Sequence, residues 1–111
     1  DLDRHPETVH FFCYQDNVMT TYLRILPKGL TYDDYISIGR VIIAPCARGQ
    51  GLGHILMKQA LDVCQQKFAG QAIKISAQEH LENFYMQHQF TRVSEMYLED
   101  NIPHIAMIRD N

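Results

Sequence analysis

Ile36-Ser37-Ile38-Gly39-Arg40-Val41-Ile42-Ile43-Ala44-Pro45-Cys46-Ala47-Arg48-Gly49-Gln50-Gly51-Leu52-Gly53 is the stretch on which the reading of this chain turns. Its first half is rich in β-branched residues, and its second half is a glycine-rich turn. A run to Phe68 follows, with apolar residues at Leu52, Ile55, Leu56, Ala60, Val63, Cys64 and Phe68, which is helical spacing. Ala69-Gly70 ends that helix, and Gly70 suits a left-handed cap. A strand, a glycine turn and a helix start make a site for anions. The glycines let backbone approach a ligand closely, and the free N–H groups of the first helical turn point outward.

Three phosphate-binding patterns compete for this turn. A P-loop ends in Gly-Lys-Ser/Thr, and here Gly53 is followed by His54, so it fails. A dinucleotide fingerprint needs glycine at its first, third and sixth places. Gly49 and Gly51 fit, but the sixth place is His54. The third pattern, Arg48-x-x-Gly51-x-Gly53 straight after a strand, resembles the acetyl-CoA-binding motif of the GNAT acyltransferases. The plain alternative is an ordinary tight turn, but alternate glycines weaken a helix start unless something else requires them.

Working outward, 111 residues make one domain with a single core. A hydrophobic share of 46% and a charged share of 21% are globular values. No apolar run approaches a membrane span, and no signal-peptide pattern is present. A net charge of −3 argues against a nucleic-acid partner, because phosphate neutralisation needs a basic face. Cys13, Cys46 and Cys64 show no CxxC spacing and read as free thiols of a reducing cytosol, so a cytoplasmic location is expected. The histidines lack HExxH or paired ligand spacing, and no metal is expected.

In chain order, residues 1–8 read as an extended lead-in. Val9 to Tyr14 and Val18 to Leu26 read as a hairpin. Ile36 to Ala44 is the third strand, followed by the turn and the long helix. Ala72 to Ala77 is a short strand, parallel to the third because a helix lies between them. Glu79 to His88 reads as a helix, Phe90 to Tyr97 as a strand, Leu98 to Pro103 as a loop and His104 to Ile108 as the last strand.

This order resembles the GNAT fold from its second strand onward. Ala77-Gln78-x-His80-Leu81-x-x-Phe84-Tyr85 followed by Phe90 resembles the second half-motif of that family. Tyr97-Leu98-Glu99-Asp100-Asn101-Ile102-Pro103-His104-Ile105, with Ile38-Gly39-Arg40-Val41, resembles its ElaA-like branch. The resemblance implies one α/β (α+β) domain over residues 1–111. Its sheet is mixed and mostly antiparallel, with a central parallel strand–helix–strand unit. The strand and two helices with which family members begin are absent from this sequence. Their absence leaves a face for another chain to cover, so a homodimer is among the expected partners. Gln89 replaces the family's usual glycine before Phe90, and the turn there is expected to change. Asn101 replaces a common glycine, a mild change because Asn tolerates a left-handed backbone.

The resemblance also implies the chemistry. Two parallel strands splay apart, and the acyl thioester lies in the gap. Backbone groups of Val41, Ile42 and Ile43 pair with the pantetheine arm. The N–H of Ile43 is the oxyanion donor, worth roughly 2.7–4 kcal/mol in typical enzymes. The N–H groups of Arg48, Gly49, Gln50, Gly51, Leu52, Gly53 and His54 hold the pyrophosphate, and Gln78 touches the cofactor. Tyr85 occupies the place of the general acid that protonates the CoA thiolate; its plain alternative is a core aromatic. His80 and Glu99 are the preferred candidates for the base, although each residue type is more often structural. A base matters because a lysine amine of pKa about 10.4 costs about 4.6 kcal/mol to deprotonate at pH 7, against about 1.4 for an α-amino group. Cys46 and Cys64 are not expected nucleophiles. The function implied is direct acetyl transfer from acetyl-CoA to an amine acceptor. The rival is a non-catalytic CoA-binding or protein-interaction module.

Overall fold

The computed structural model describes residues 8–15, 18–43 and 52–110. β1 (Val9–Gln15) and β2 (Val18–Leu26) form an antiparallel hairpin, and β3 (Ser37–Ile43) pairs antiparallel with β2. α1 (Leu52–Lys67) follows β3 in the chain. β4 (Ile73–Gln78) leads into a 3-10 turn, Glu79–Leu81, and then α2 (Glu82–Met86). β5 (Thr91–Arg92), β6 (Tyr97–Glu99) and β7 (Ile102–Arg109) complete the chain. The strands form two antiparallel sheets, β1-β2-β3 and β4-β7-β5, with β6 also paired to β7.

Among the described residues, one backbone bridge joins the two sheets. Ile36 and Ile73 form an isolated parallel bridge. The N–H of Ile36 donates to Ala72 at 3.1 Å, and the N–H of Lys74 donates to Ile36 at 2.9 Å. Beyond that bridge, among the described residues, no ladder pair joins β3 to β4. β3 also carries a bulge: Tyr22 faces Ile42 and Arg24 faces Gly39, so Arg40 and Val41 both stand opposite Leu23. A bulge bends its strand and increases the local twist.

α1 lays one stripe on both sheets. Leu56, Met57, Ala60, Leu61, Cys64 and Phe68 are buried with Leu23, Ile25, Ile36, Ile38, Ile73, Ile75, Ile105 and Met107. This corrects the stripe read from spacing. Ile55 is 52% exposed, whereas Met57 and Leu61 are core residues. Gly70 takes φ 78, the expected left-handed cap.

The C-terminal part differs from the reading at two places. The expected strand 90–97 is interrupted at Val93–Met96. There Ser94 Oγ accepts the Ala106 N–H at 2.9 Å, so a side chain replaces the missing backbone acceptor. The expected loop at Leu98–Pro103 is a hairpin with Glu99 facing Ile102. Its two-residue turn is Asp100 and Asn101, at φ 52 and 62. Two consecutive positive φ values define the turn whose twist matches paired strands, and Asp and Asn tolerate it.

Candidate active site

Past the Ile36–Ile73 bridge, no ladder pair joins β3 to β4 among the described residues. The backbone of Val41, Ile42 and Ile43 lies in β3, past the bulge. α1 starts at Leu52 with no acidic residue in its first turn and Lys67 in its last. That charge placement leaves the positive end of the helix dipole available to an anion. Arg48, Gly49, Gln50 and Gly51 lie outside the described residues. His54, exposed at the start of α1, donates to or accepts from His88 (Nδ1 to Nε2, 2.9 Å) and packs on the Phe84 ring at 4.6 Å. This contact ties the start of α1 to the end of α2. Burial, then His54 and Arg109, hold the His88 imidazole below its usual range.

Tyr85 projects from α2 into the core side of β4. Its ring is buried and meets Phe84 and Phe90 edge-on, at 5.1 and 5.8 Å. Burial pushes its hydroxyl pKa up, so it keeps its proton at neutral pH. The turn after α2 fixes this ring. The N–H of Phe90 donates to Tyr85 O at 3.2 Å, and the N–H of Gln89 donates to Met86 O at 3.0 Å. These are the two bonds of a Schellman motif, whose apolar contact is Tyr85 on Phe90. Gln89 takes the left-handed position at φ 69. The expected alteration of this turn is therefore corrected: Gln89 adopts the backbone that glycine usually supplies.

The other face of β4 is polar. Ile73, Ile75 and Ala77 point into the core, while Lys74, Ser76 and Gln78 alternate with them. Gln78 faces His104 across β4–β7, and His104 faces Tyr97 across β6–β7. Ser76 Oγ donates to Glu99 Oε1 at 3.1 Å and lies 2.5 Å from the Tyr97 hydroxyl. Glu99 Oε2 lies 3.4 Å from His104 Nε2. His104 is buried beneath Tyr97 and donates from Nδ1 to Ile102 O at 2.8 Å. Tyr32 closes the cluster, its pKa raised first by burial and then by Tyr97 and Glu99. Lys74 Nζ sits over the Tyr32 and Tyr35 rings, 4.9 and 5.7 Å from their centroids.

Residues 3–110 match the family of GNAT acetyltransferase domains. The chain belongs to the GNAT acetyltransferase family. Within that family it is ElaA-like. Protein ElaA of Escherichia coli is 36% identical over 101 residues, covering 91% of this chain and 65% of that protein. The crystal structure of Escherichia coli ElaA superposes with a TM-score of 0.91 at 33% identity, over 98% of this chain and 72% of that one. An acyl-CoA N-acyltransferase from Pseudomonas aeruginosa gives 0.90 at 41% identity, over 97% and 72%. This chain thus spans about two thirds of the length of ElaA.

In this GNAT chain the sequence-read site residues fall into three groups. Tyr85 lies on α2 within the core cluster, and the backbone of Val41, Ile42 and Ile43 lies in β3 past the bulge. Glu99 and Gln78 share the polar face of β4. His80 is exposed on the 3-10 turn, and among the described residues no hydrogen bond or ion pair joins it to that face. Sequence reading overlooked Ser76, Tyr97 and Tyr32. The signal for Ser76 was present, because strand alternation places it on the face of Gln78. Cys64, by contrast, is buried, and its thiol is pushed up to about 12, mainly by burial. That is the environment of an inert thiol.

Proposed function

We propose that this chain is an acetyl-CoA-dependent N-acetyltransferase that moves acetyl directly to an amine. The observation that carries the reading is that, among the described residues, Ile36–Ile73 is the one backbone bridge between the two sheets. β3, paired on one side with β2, has an edge past the bridge with no ladder partner among the described residues, which suits an extended pantetheine arm that adds like a strand. The first turn of α1, free of acidic side chains, suits the pyrophosphate, with Leu52, Gly53 and His54 following Arg48, Gly49, Gln50 and Gly51 in that role. The N–H of Ile43 polarises the thioester carbonyl, and Gln78 lies at the end of β4 toward the cofactor. Attack by a neutral amine gives a tetrahedral intermediate, whose collapse releases the CoA thiolate. Tyr85, on the core side of β4 and holding its proton, supplies that proton to sulfur. Glu99, on the opposite face, serves as base; His80 has no comparable support.

Tyr85→Phe tests this. The expected result is a fall of about 100-fold in thiol release from acetyl-CoA, with acetyl-CoA affinity by calorimetry unchanged. Unchanged turnover would remove Tyr85 from the mechanism. CoA binding without transfer to any amine by the unaltered chain would favour a CoA-binding or interaction module.

A further inference from the structure

We propose that Tyr97, Ser76, Glu99 and His104 form a directed proton relay that strips the acceptor ammonium before attack. The inference rests on the transferase reading above and extends it to three residues, Tyr97, Ser76 and His104. Donor and acceptor chemistry fixes the direction. An ionised carboxylate only accepts, so the one proton of Ser76 Oγ goes to Glu99 Oε1. Ser76 Oγ then accepts from the Tyr97 hydroxyl. A carbonyl also only accepts, so Nδ1 of His104 carries the proton donated to Ile102 O. In the neutral ring, Nε2 is then unprotonated and faces Glu99 Oε2. The chain runs inward from Tyr97, 36% exposed, to His104, which is buried.

The proton account balances. The ammonium N–H bond breaks as its proton passes to Tyr97 oxygen, and the Tyr97 proton moves to Ser76 Oγ. The Ser76 proton moves to Glu99 Oε1, the protonated carboxyl turns about its Cγ–Cδ bond so that this same O–H faces His104, and the proton passes from that oxygen to His104 Nε2. Tyr97 and Ser76 end neutral, Glu99 ends as carboxylate, and His104 ends as an imidazolium paired with it. The amine is left neutral with its lone pair free. Tyr32 is the other titratable group facing Tyr97 and Glu99, and Lys74 is the nearby cation, held over Tyr32.

The test uses acetyl-CoA with two probe amines, Nα-acetyl-lysine amide and glycinamide, and records kcat against pH. The relay predicts that Tyr97→Phe and Ser76→Ala each lower kcat for the lysine probe by about 10–100-fold and shift its acid limb. The loss with glycinamide is smaller, the KM for acetyl-CoA is unchanged, and Ser76→Thr restores the profile. Variants that keep the unaltered pH profile overturn the relay. Nitrogen NMR of the free protein gives a readout without turnover. His104 is expected protonated at Nδ1, with a titration that moves in Glu99→Gln and Ser76→Ala; an unmoved titration overturns the relay. Binding of acetyl-CoA with transfer to neither probe defeats the relay as a catalytic device, whereas failure to bind acetyl-CoA defeats the transferase reading beneath it.

Discussion

Gln89 is the residue at which local strain and the site meet. It holds φ 69 in the motif that seats Tyr85 against Phe90. A left-handed backbone costs a residue with a Cβ roughly 1–2 kcal/mol, and glycine returns part of that gain as unfolded-state entropy. Gln89→Gly is therefore expected to stabilise the chain by about 0.5–1 kcal/mol, read as a higher urea midpoint at unchanged slope. His88 sets a second test. Its folded-state pKa lies below the ordinary 6.5, through burial first and then His54 and Arg109. A lowered folded-state value means the unfolded chain binds the proton more readily. Stability is then full above about 6.5 and falls as pH drops through the window just below it. Urea titrations at pH 7.5 and 5.5 should show a smaller acid loss in His88→Gln than in the unaltered chain.

At the scale of elements, what was legible depended on whether a local signal was unique. The strand–glycine–helix unit carried its own punctuation, and Gly70 marked the end of α1 with the left-handed backbone that glycine adopts without a Cβ clash. Periodicity placed α1 but not the edges of its stripe. Ile55 and Met57 flank Leu56, and only packing shows that Met57 turns inward. Leu56→Ala is expected to cost about 2–5 kcal/mol by urea unfolding. Ile55→Ala is expected to stay within about 0.5 kcal/mol, as exposed positions usually do; equal losses would reject the observed stripe. The C-terminal hairpin was hidden because Pro103 and the acidic run suggested a loop, while Asp100-Asn101 is a two-residue turn. Of the site, Tyr85 and Glu99 were legible through resemblance. Alternation could place Ser76 on the face of Gln78, but its contact with Tyr97 was not legible, because it arises only from the order of β4, β7 and β6.

Across the whole molecule, the two groups of candidate site residues lie on opposite faces of β4. The core side carries Tyr85 and the start of α1, and the opposite face carries Ser76, Glu99 and His104. Among the described residues one bridge joins the two sheets, and the edge of β3 past it has no ladder partner. A cofactor bound along that edge is expected to bridge both sheets and so to raise the stability of the chain. The most direct test is thermal unfolding of this chain with acetyl-CoA, NAD and ATP in separate samples. A ligand at a hundred times its dissociation constant adds about 2.7 kcal/mol of stability. A raised Tm with acetyl-CoA and not with NAD or ATP is the expected result; a rise with NAD and none with acetyl-CoA would contradict the account.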